Sequence, residues 1–216
     1  MQFFIDTADL KEIKEANDMG LLDGVTTNPS LMAKVGVKDF NAHYKAICDM
    51  VQGDVSAEVI SVDYEGMMRE AHELLKIAPN ITIKVPMTKE GVKAIKTLAS
   101  EGVKVNCTLI FNSMQALVAA KAGAKYVSPF IGRIDDTGAD GMELIHSIRL
   151  IFNNYGIQTM ILAASVRHVT HALKCAEAGA DVATMPFGVI AQLISHPLTD
   201  IGLKKFLEDH KKNVGG

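Results

Sequence analysis

Ile81-Thr82-Ile83-Lys84-Val85-Pro86 reads as a short buried strand: it is rich in β-branched residues and is bounded by Pro79-Asn80 before and Pro86 after. An amphipathic helical pattern follows over 89–100, and Gly102 stands where a helix ends in a left-handed cap before a new strand begins at Val103. This strand–helix–glycine–strand unit sets the theme of the whole chain. Alternation along the strand puts Ile81, Ile83 and Val85 on one face and Thr82 and Lys84 on the other. A lysine there has two readings. It can snorkel from a strand end into solvent, or it can be an amine buried beside apolar neighbours. Burial disfavours the charged form, leaving a nucleophile able to form a Schiff base with a carbonyl.

Working outward, strands are expected at 2–6, 24–27, 55–60, 81–85, 103–107, 126–128, 158–163 and 181–185. Helices are expected at 10–19, 39–50, 64–77, 89–100, 113–122, 141–155 and 169–177. Eight strands alternating with helices in 216 residues indicate an α/β protein, a (β/α)8 TIM barrel. An open doubly wound sheet is the alternative, but neither GxGxxG nor a Walker sequence is present. Ala122-Gly123-Ala124 and Ala178-Gly179-Ala180 repeat the helix-ending glycine in front of strands 6 and 8.

No linker or low-complexity segment divides the chain, so 1–216 is expected to form one domain. Beyond strand 8, helices are expected at 187–195, stopped near Pro197, and at 199–209. The segment 198–216 then forms an additional C-terminal helix and tail with no strand to cover. It suits a subunit interface, a cover for the site, or a plain surface helix.

Hydrophobic residues make up 48% and charged residues 22%, which is ordinary for a soluble domain with a substantial core. A net charge of −3 gives no general reason to bind nucleic acid or anionic membrane, so an anionic ligand would need a local basic site. Cys48, Cys107 and Cys175 are far apart and fit a reducing compartment. The start Met1-Gln2-Phe3-Phe4 is not a secretory signal, and no run reaches the roughly 18 apolar residues of a membrane span. The expectation is a cytoplasmic soluble protein.

In such a barrel, chemistry gathers at the C-terminal ends of the strands. Asp6 ends strand 1, Thr26-Thr27-Asn28-Pro29-Ser30 follows strand 2, and strand 3 carries Glu58. Strand 4 supplies Lys84, strand 5 Asn106 and Thr108, strand 6 Ser128 followed by Phe130 and Arg133, and strand 7 Ser165 followed by Arg167. These types suit one chemistry. An amine attacks a ketone, carboxylates move protons, and amides and hydroxyls orient substrate hydroxyls. Arginines can hold a phosphate through charge-assisted hydrogen bonds. Bland readings stand beside these: Asp6 as a helix cap, although Thr7 and Asp9 can do that work, and each arginine in a surface ion pair. For Glu58 the bland reading is weaker, because an unpaired buried carboxylate is costly.

Other candidates fall away. The seven histidines show no metal-binding spacing, and His168 with His171 is expected to be an exposed pair at a helix start. Cys107, between Asn106 and Thr108, is expected to face the helices as an inert thiol. No metal site is expected.

The chain resembles the transaldolase family, specifically its short-chain subfamily, which also contains the fructose-6-phosphate aldolases. The resemblance runs nearly end to end. It is carried by Phe4-Ile5-Asp6-Thr7-Ala8, Gly24-Val25-Thr26-Thr27-Asn28-Pro29-Ser30, Ile83-Lys84-Val85-Pro86, Asn106-Cys107-Thr108-Leu109-Ile110-Phe111, Ser128-Pro129-Phe130-Ile131-Gly132-Arg133 and Ala164-Ser165-Val166-Arg167.

The resemblance implies a (β/α)8 enzyme of the pentose phosphate pathway that uses no metal or organic cofactor. It implies sugar-phosphate substrates and a homo-oligomer, a pentamer or decamer, whose C-terminal helix reaches a neighbour. Lys84 would form a Schiff base with the C2 carbonyl of a ketose phosphate, and Asp6 would take the C4 hydroxyl proton as C3–C4 breaks. Glu58 would work through a water held with Thr108. Thr27, Asn28, Asn106, Ser128 and Phe130 would line the substrate pocket, and Arg133, Ser165 and Arg167 would hold the phosphate.

Fructose-6-phosphate aldolases of the subfamily carry tyrosine where this chain has Phe130, glutamine at Glu58 and asparagine at Gly132. All three positions therefore favour transaldolase, with an aldolase as the alternative. A non-catalytic sugar-phosphate-binding protein is the alternative of another class.

Overall fold

The strands form where the sequence concentrates β-branched residues, and each is followed by a helix that returns the chain to the same end of the sheet. In the computed structural model, which describes residues 1–214, the strands are β1 (Gln2–Asp6), β2 (Gly24–Thr26), β3 (Asp54–Glu58), β4 (Ile81–Pro86), β5 (Val105–Ile110), β6 (Tyr126–Pro129), β7 (Met160–Ala163) and β8 (Val182–Met185). The helices are α1 (Leu10–Asp18), α2 (Pro29–Lys34), α3 (Phe40–Met50), α4 (Tyr64–Leu75), α5 (Lys89–Ser100), α6 (Ser113–Ala122), α7 (Ile131–Asp135), α8 (Met142–Tyr155), α9 (Val169–Glu177), α10 (Phe187–Leu193) and α11 (Pro197–Val214).

Every strand pairs in parallel with its sequence neighbours, and β1 closes on β8 through Gln2 opposite Val182 and Phe4 opposite Thr184. The fold is a (β/α)8 barrel with an added C-terminal helix. No helix among the described residues is long and apolar enough to cross a membrane.

Strand alternation divides the buried side chains into two sets. Ile5, Val25, Val55, Ile83, Val105, Val127 and Ile161 point outward and join the helices in one continuous core. Phe4, Tyr126, Leu162 and Val182 point inward and form a separate apolar cluster inside the barrel. Phe4 meets Tyr126 edge to face, with ring centroids 6.0 Å apart.

Beside this cluster Asp54, at the start of β3, accepts hydrogen bonds from Tyr126 Oη at 2.8 Å, Lys104 Nζ at 2.7 Å and Lys125 Nζ at 2.6 Å. Burial alone would raise the Asp54 carboxyl, but the three donors outweigh it and hold the carboxyl below its ordinary range. The N-terminal end of the barrel is thereby filled, and the opposite end carries the polar strand termini.

Several local expectations needed correction. Strand 5 runs three residues further than its alternation suggests, because its register with β6 shifts between Cys107 and Ile110 and Leu109 adopts φ +60°. The stretch after β2 forms α2: Asn28 Oδ1 accepts from Leu31 N at 2.9 Å and Pro29 occupies the first turn, where its missing N–H costs nothing. The short helix α7 starts directly from the end of β6. Pro197 begins a helix and does not only stop one, for the same reason that Pro29 does. Gly123 and Gly179 do adopt the left-handed conformation at helix ends. Cys107 faces the outer core, its thiol pushed up to about 12 by burial. Gly215 and Gly216 of the expected tail lie outside the described residues.

Candidate active site

Lys84 sits on the inward face of β4 and is 5% exposed. Its neighbours inside the barrel are polar, not the apolar surroundings expected from the strand alone. Nζ lies 3.0 Å from Glu58 Oε2 and donates to the carbonyl oxygen of Thr27 at 3.0 Å. An ammonium that has lost water is compensated here by a carboxylate and a carbonyl.

Asp6, at the end of β1, accepts a hydrogen bond from Thr26 Oγ1 at 2.7 Å, and Thr26 Oγ1 lies 2.6 Å from Thr184 Oγ1. Because Thr26 gives its proton to Asp6, Thr184 is the donor of that second bond. Burial raises the Asp6 carboxyl above its ordinary range, partly offset by the positive charge of Lys84 and the bond from Thr26. Asp9 caps α1 through Lys11 N at 2.8 Å, so Asp6 is free of that duty.

A chain of amide and hydroxyls crosses the barrel interior on the other side. Ser128 Oγ donates to Asn106 Oδ1 at 2.8 Å, and Asn106 Nδ2 donates to Ser56 Oγ at 3.2 Å. Thr108 Oγ1 is buried with no hydrogen-bond partner among the described residues, as is Thr82 Oγ1 on the neighbouring strand.

Asp6, Lys84, Asn28 and Ser128 line one cavity together with Thr26 and Thr184, and its outer wall is Phe130, Arg133, Ala164 and Ser165. A larger, more apolar cavity lies behind Glu58 and is walled by Met32, Phe40, Tyr44 and Leu74. It contains neither Lys84 nor Asp6, so convergence of reactive groups, not size, identifies the site.

The outer wall is built on an extension of the β6–β7 pairing. Phe130 bridges Ala164, Ile131 N donates to Ala164 O at 3.1 Å and Gly132 N to Ser165 O at 3.2 Å. Ser165 holds φ +58°, a left-handed conformation rare for a residue with a Cβ. Arg133 lies over the Phe130 ring with Cζ 5.2 Å from its centroid, and Phe111 packs against the same ring at 5.7 Å.

Five of the expected site residues do not line this cavity: Glu58, which lines the larger cavity and reaches Lys84 from there, Thr108, Thr27, Asn106 and Arg167. Thr27 contributes its carbonyl, while its hydroxyl donates to Ser56 O at 2.9 Å and accepts from Tyr44 Oη at 3.0 Å. Asn106 stands behind Ser128, fully buried. Arg167 is turned to Asp136, to which both its terminal nitrogens donate.

Of the expected exposed pair, His168 is exposed and His171 is not. His168 Nδ1 accepts from the backbone of His171 as the cap of α9, and His171 is buried with Nε2 2.9 Å from Asp135 Oδ2. Burial pushes the His171 imidazole below its ordinary value, helped by neighbouring His168. Thr184, Tyr44 and Asp136 were not singled out from sequence. Thr184 was the most accessible of them, since alternation from Val182 puts it on the inward face of β8.

Fold and site define a barrel protein with an amine, two carboxylates and hydroxyl donors at the C-terminal ends of its strands. A family described as Transaldolase/Fructose-6-phosphate aldolase matches residues 3–214. A probable transaldolase of Cytophaga hutchinsonii is 62% identical over the full length of both chains. One from Porphyromonas gingivalis is 60% identical over 98% of each chain, and one from Methanococcus maripaludis 59% over 97% of each. The chain belongs to the transaldolase/fructose-6-phosphate aldolase family.

Proposed function

We propose that this protein is a transaldolase working through a Schiff base on Lys84. It moves a dihydroxyacetone unit from sedoheptulose 7-phosphate to glyceraldehyde 3-phosphate, giving erythrose 4-phosphate and fructose 6-phosphate in the pentose phosphate pathway. The observation that carries this reading is the position of Lys84 Nζ, 3.0 Å from Glu58 Oε2 in the barrel interior, within the cavity that also holds Asp6.

The steps follow from the groups present. Lys84 passes a proton to Glu58, and the free amine adds to the C2 ketone. Glu58, through a water held with Thr108, returns a proton to the departing hydroxyl, and loss of water gives the iminium. Asp6 takes the C4 hydroxyl proton, C3–C4 breaks, and its electron pair moves into the iminium to leave an enamine while the aldose phosphate departs. The enamine carbon then attacks the aldehyde of the acceptor, Asp6 protonates the new hydroxyl, and water releases the ketose from Lys84. The raised Asp6 carboxyl supports this two-way role, because a group that both takes and gives a proton works best with a pKa nearer the operating pH.

Phosphate binding is assigned to Arg133, Ser165 and Arg167, and Asn28, Ser128 and Asn106 hold substrate hydroxyls directly or through one another. The main-chain carbonyl of Thr27 positions Lys84. Phe130 gives the enamine an apolar neighbour that cannot donate a proton, which favours transfer over release of free dihydroxyacetone. The exposed apolar residues Leu198, Ile201, Phe206 and Leu207 of α11 support packing on a second copy of the chain; light scattering tests this.

Incubation with fructose 6-phosphate, borohydride reduction and peptide mass mapping tests the mechanism. The expected result is a reduced adduct on Lys84, with aldehyde turnover only when an acceptor aldose phosphate is supplied. An adduct at another lysine overturns the reading. Free dihydroxyacetone released at a comparable rate without acceptor makes the protein an aldolase.

A further inference from the structure

We infer that Asp136 is an internal competitor for the phosphate-binding arginine: a carboxylate that holds the Arg167 guanidinium and so sets the affinity of the site for phosphate. The inference rests on the assignment of Arg167 to phosphate binding. Arg133 and Ser165 line the cavity, but Arg167 does not. Both of its terminal nitrogens donate to the two carboxylate oxygens of Asp136, which uses up the fork that would grip a phosphate end-on.

The route of the arginine is built into the backbone. A Cβ at Gly132 would lie 2.8 Å from Arg167 Nε and 2.4 Å from Ser165 O, so the side chain crosses the one residue of the α7 entry that leaves it room. From there the guanidinium reaches Asp136, at the C-terminal end of the same short helix. The backbone N–H of Arg167 in turn donates to His171 Nδ1 at 3.4 Å, and His171 Nε2 is held by Asp135. The backbone on both sides of the pair is therefore fixed, while the pair itself is about half exposed, 46% for Arg167 and 54% for Asp136.

An exposed ion pair is weakly held and exchanges readily. A phosphate dianion brings more charge than a carboxylate to the same fork, so it can displace Asp136. A sugar without a phosphate cannot. It leaves the pair intact and gains nothing from Arg167. The latch thus weakens phosphate binding by what it costs to part the pair, and leaves the reaction of an unphosphorylated sugar unaffected.

Kinetics of Asp136→Asn and Arg167→Gln, singly and together, test this with fructose 6-phosphate as donor and with unphosphorylated fructose as control. Inorganic phosphate serves as a competitive probe. Asp136→Asn is expected to lower KM for fructose 6-phosphate and Ki for phosphate about two- to five-fold, with kcat and the fructose reaction unmoved. In the Arg167→Gln background the same change is expected to have no effect.

If Asp136→Asn lowers KM equally in both backgrounds, Asp136 acts by through-space repulsion and the latch is overturned. If it leaves KM unchanged or raises it while Arg167→Gln raises KM, Arg167 binds phosphate without a latch. If Arg167→Gln has no effect on KM for the phosphorylated donor, the phosphate assignment itself fails.

Discussion

Lys84 and Glu58 are register partners on the neighbouring strands β4 and β3, and their charged ends meet 3.0 Å apart inside the barrel. Their meeting follows from strand pairing, since residues opposite one another in a parallel ladder project to the same side. A slip of either strand by one residue would turn its member of the pair into the outer core. The central pair of the site is therefore as secure as the barrel itself.

Glu58→Gln keeps the shape of the pair and removes its charge. Schiff-base formation, followed by borohydride trapping of fructose 6-phosphate, is expected to slow by roughly 10²- to 10⁴-fold. Glu58→Ala also leaves the Lys84 ammonium with only the Thr27 carbonyl, and urea denaturation is expected to show a loss of about 3 kcal/mol. Trapping at the wild-type rate in both variants would rule Glu58 out of the chemistry.

In the proposed mechanism Asp6 acts as a base when it is ionised, so activity should rise with pH as its carboxyl loses a proton. Because burial raises that carboxyl, the acidic limb of kcat/KM is expected above the ordinary carboxylate value of about 3.9. Asp6→Asn should abolish the limb and reduce turnover by roughly 10²- to 10⁴-fold. A limb that survives in this variant belongs to another group.

Phe130→Tyr introduces a phenol into the wall of the cavity that holds Lys84. The ratio of free dihydroxyacetone to transferred product is expected to rise, measured by coupled assay with the acceptor at a fixed concentration. Unchanged partitioning means that residue 130 does not govern the fate of the enamine.

Asp54 links acid stability to the floor of the barrel. Its folded carboxyl lies below the unfolded value, so between the two pKa values the unfolded chain carries the extra proton. This stabilisation is complete above about pH 4 and disappears as pH falls through the folded value. Asp54→Asn is expected to cost about 2 kcal/mol near neutrality, a figure reduced for the partial exposure of both lysines. Thermal melts of the two proteins should converge below pH 4; parallel curves across the acid range would exclude this linkage.

Ser165 separates a hydroxyl effect from a backbone effect. Ser165→Ala removes the hydroxyl and keeps the left-handed strain, whereas Ser165→Gly removes both. KM for phosphorylated donors should rise in both, but only the glycine variant should melt higher, by roughly 1 kcal/mol of stability. Equal melting temperatures would mean that position 165 stores no strain.

The barrel was legible because each βα unit repeats the same two periods, and because inward polar residues such as Asp6, Lys84 and Ser128 alternate with outward apolar ones. What escaped the sequence depended on geometry that no period encodes. The bulge at Leu109 extends β5 beyond the point where its alternation fails. Thr27 sits at a strand end like its neighbours, yet its hydroxyl turns to Tyr44 and Ser56, and only its carbonyl reaches the lysine. His171 is buried because α7 brings Asp135 against it, a contact between segments 36 positions apart. The partner of Arg167 was hidden for the same reason: Asp136 and Arg167 look like two solvated charges until the chain folds them together.

The inward cluster of Phe4, Tyr126, Leu162 and Val182, backed by Asp54, stoppers one end of the barrel. The cavity that holds Lys84 and Asp6 lies at the opposite, polar end of the barrel, and on the proposed mechanism donor and acceptor both use it. On that mechanism the departing aldehyde occupies the space the acceptor needs, so the two halves of the reaction are expected to take turns. Ping-pong kinetics, with no complex of donor and acceptor at once, is the expected behaviour of a vessel closed at one end.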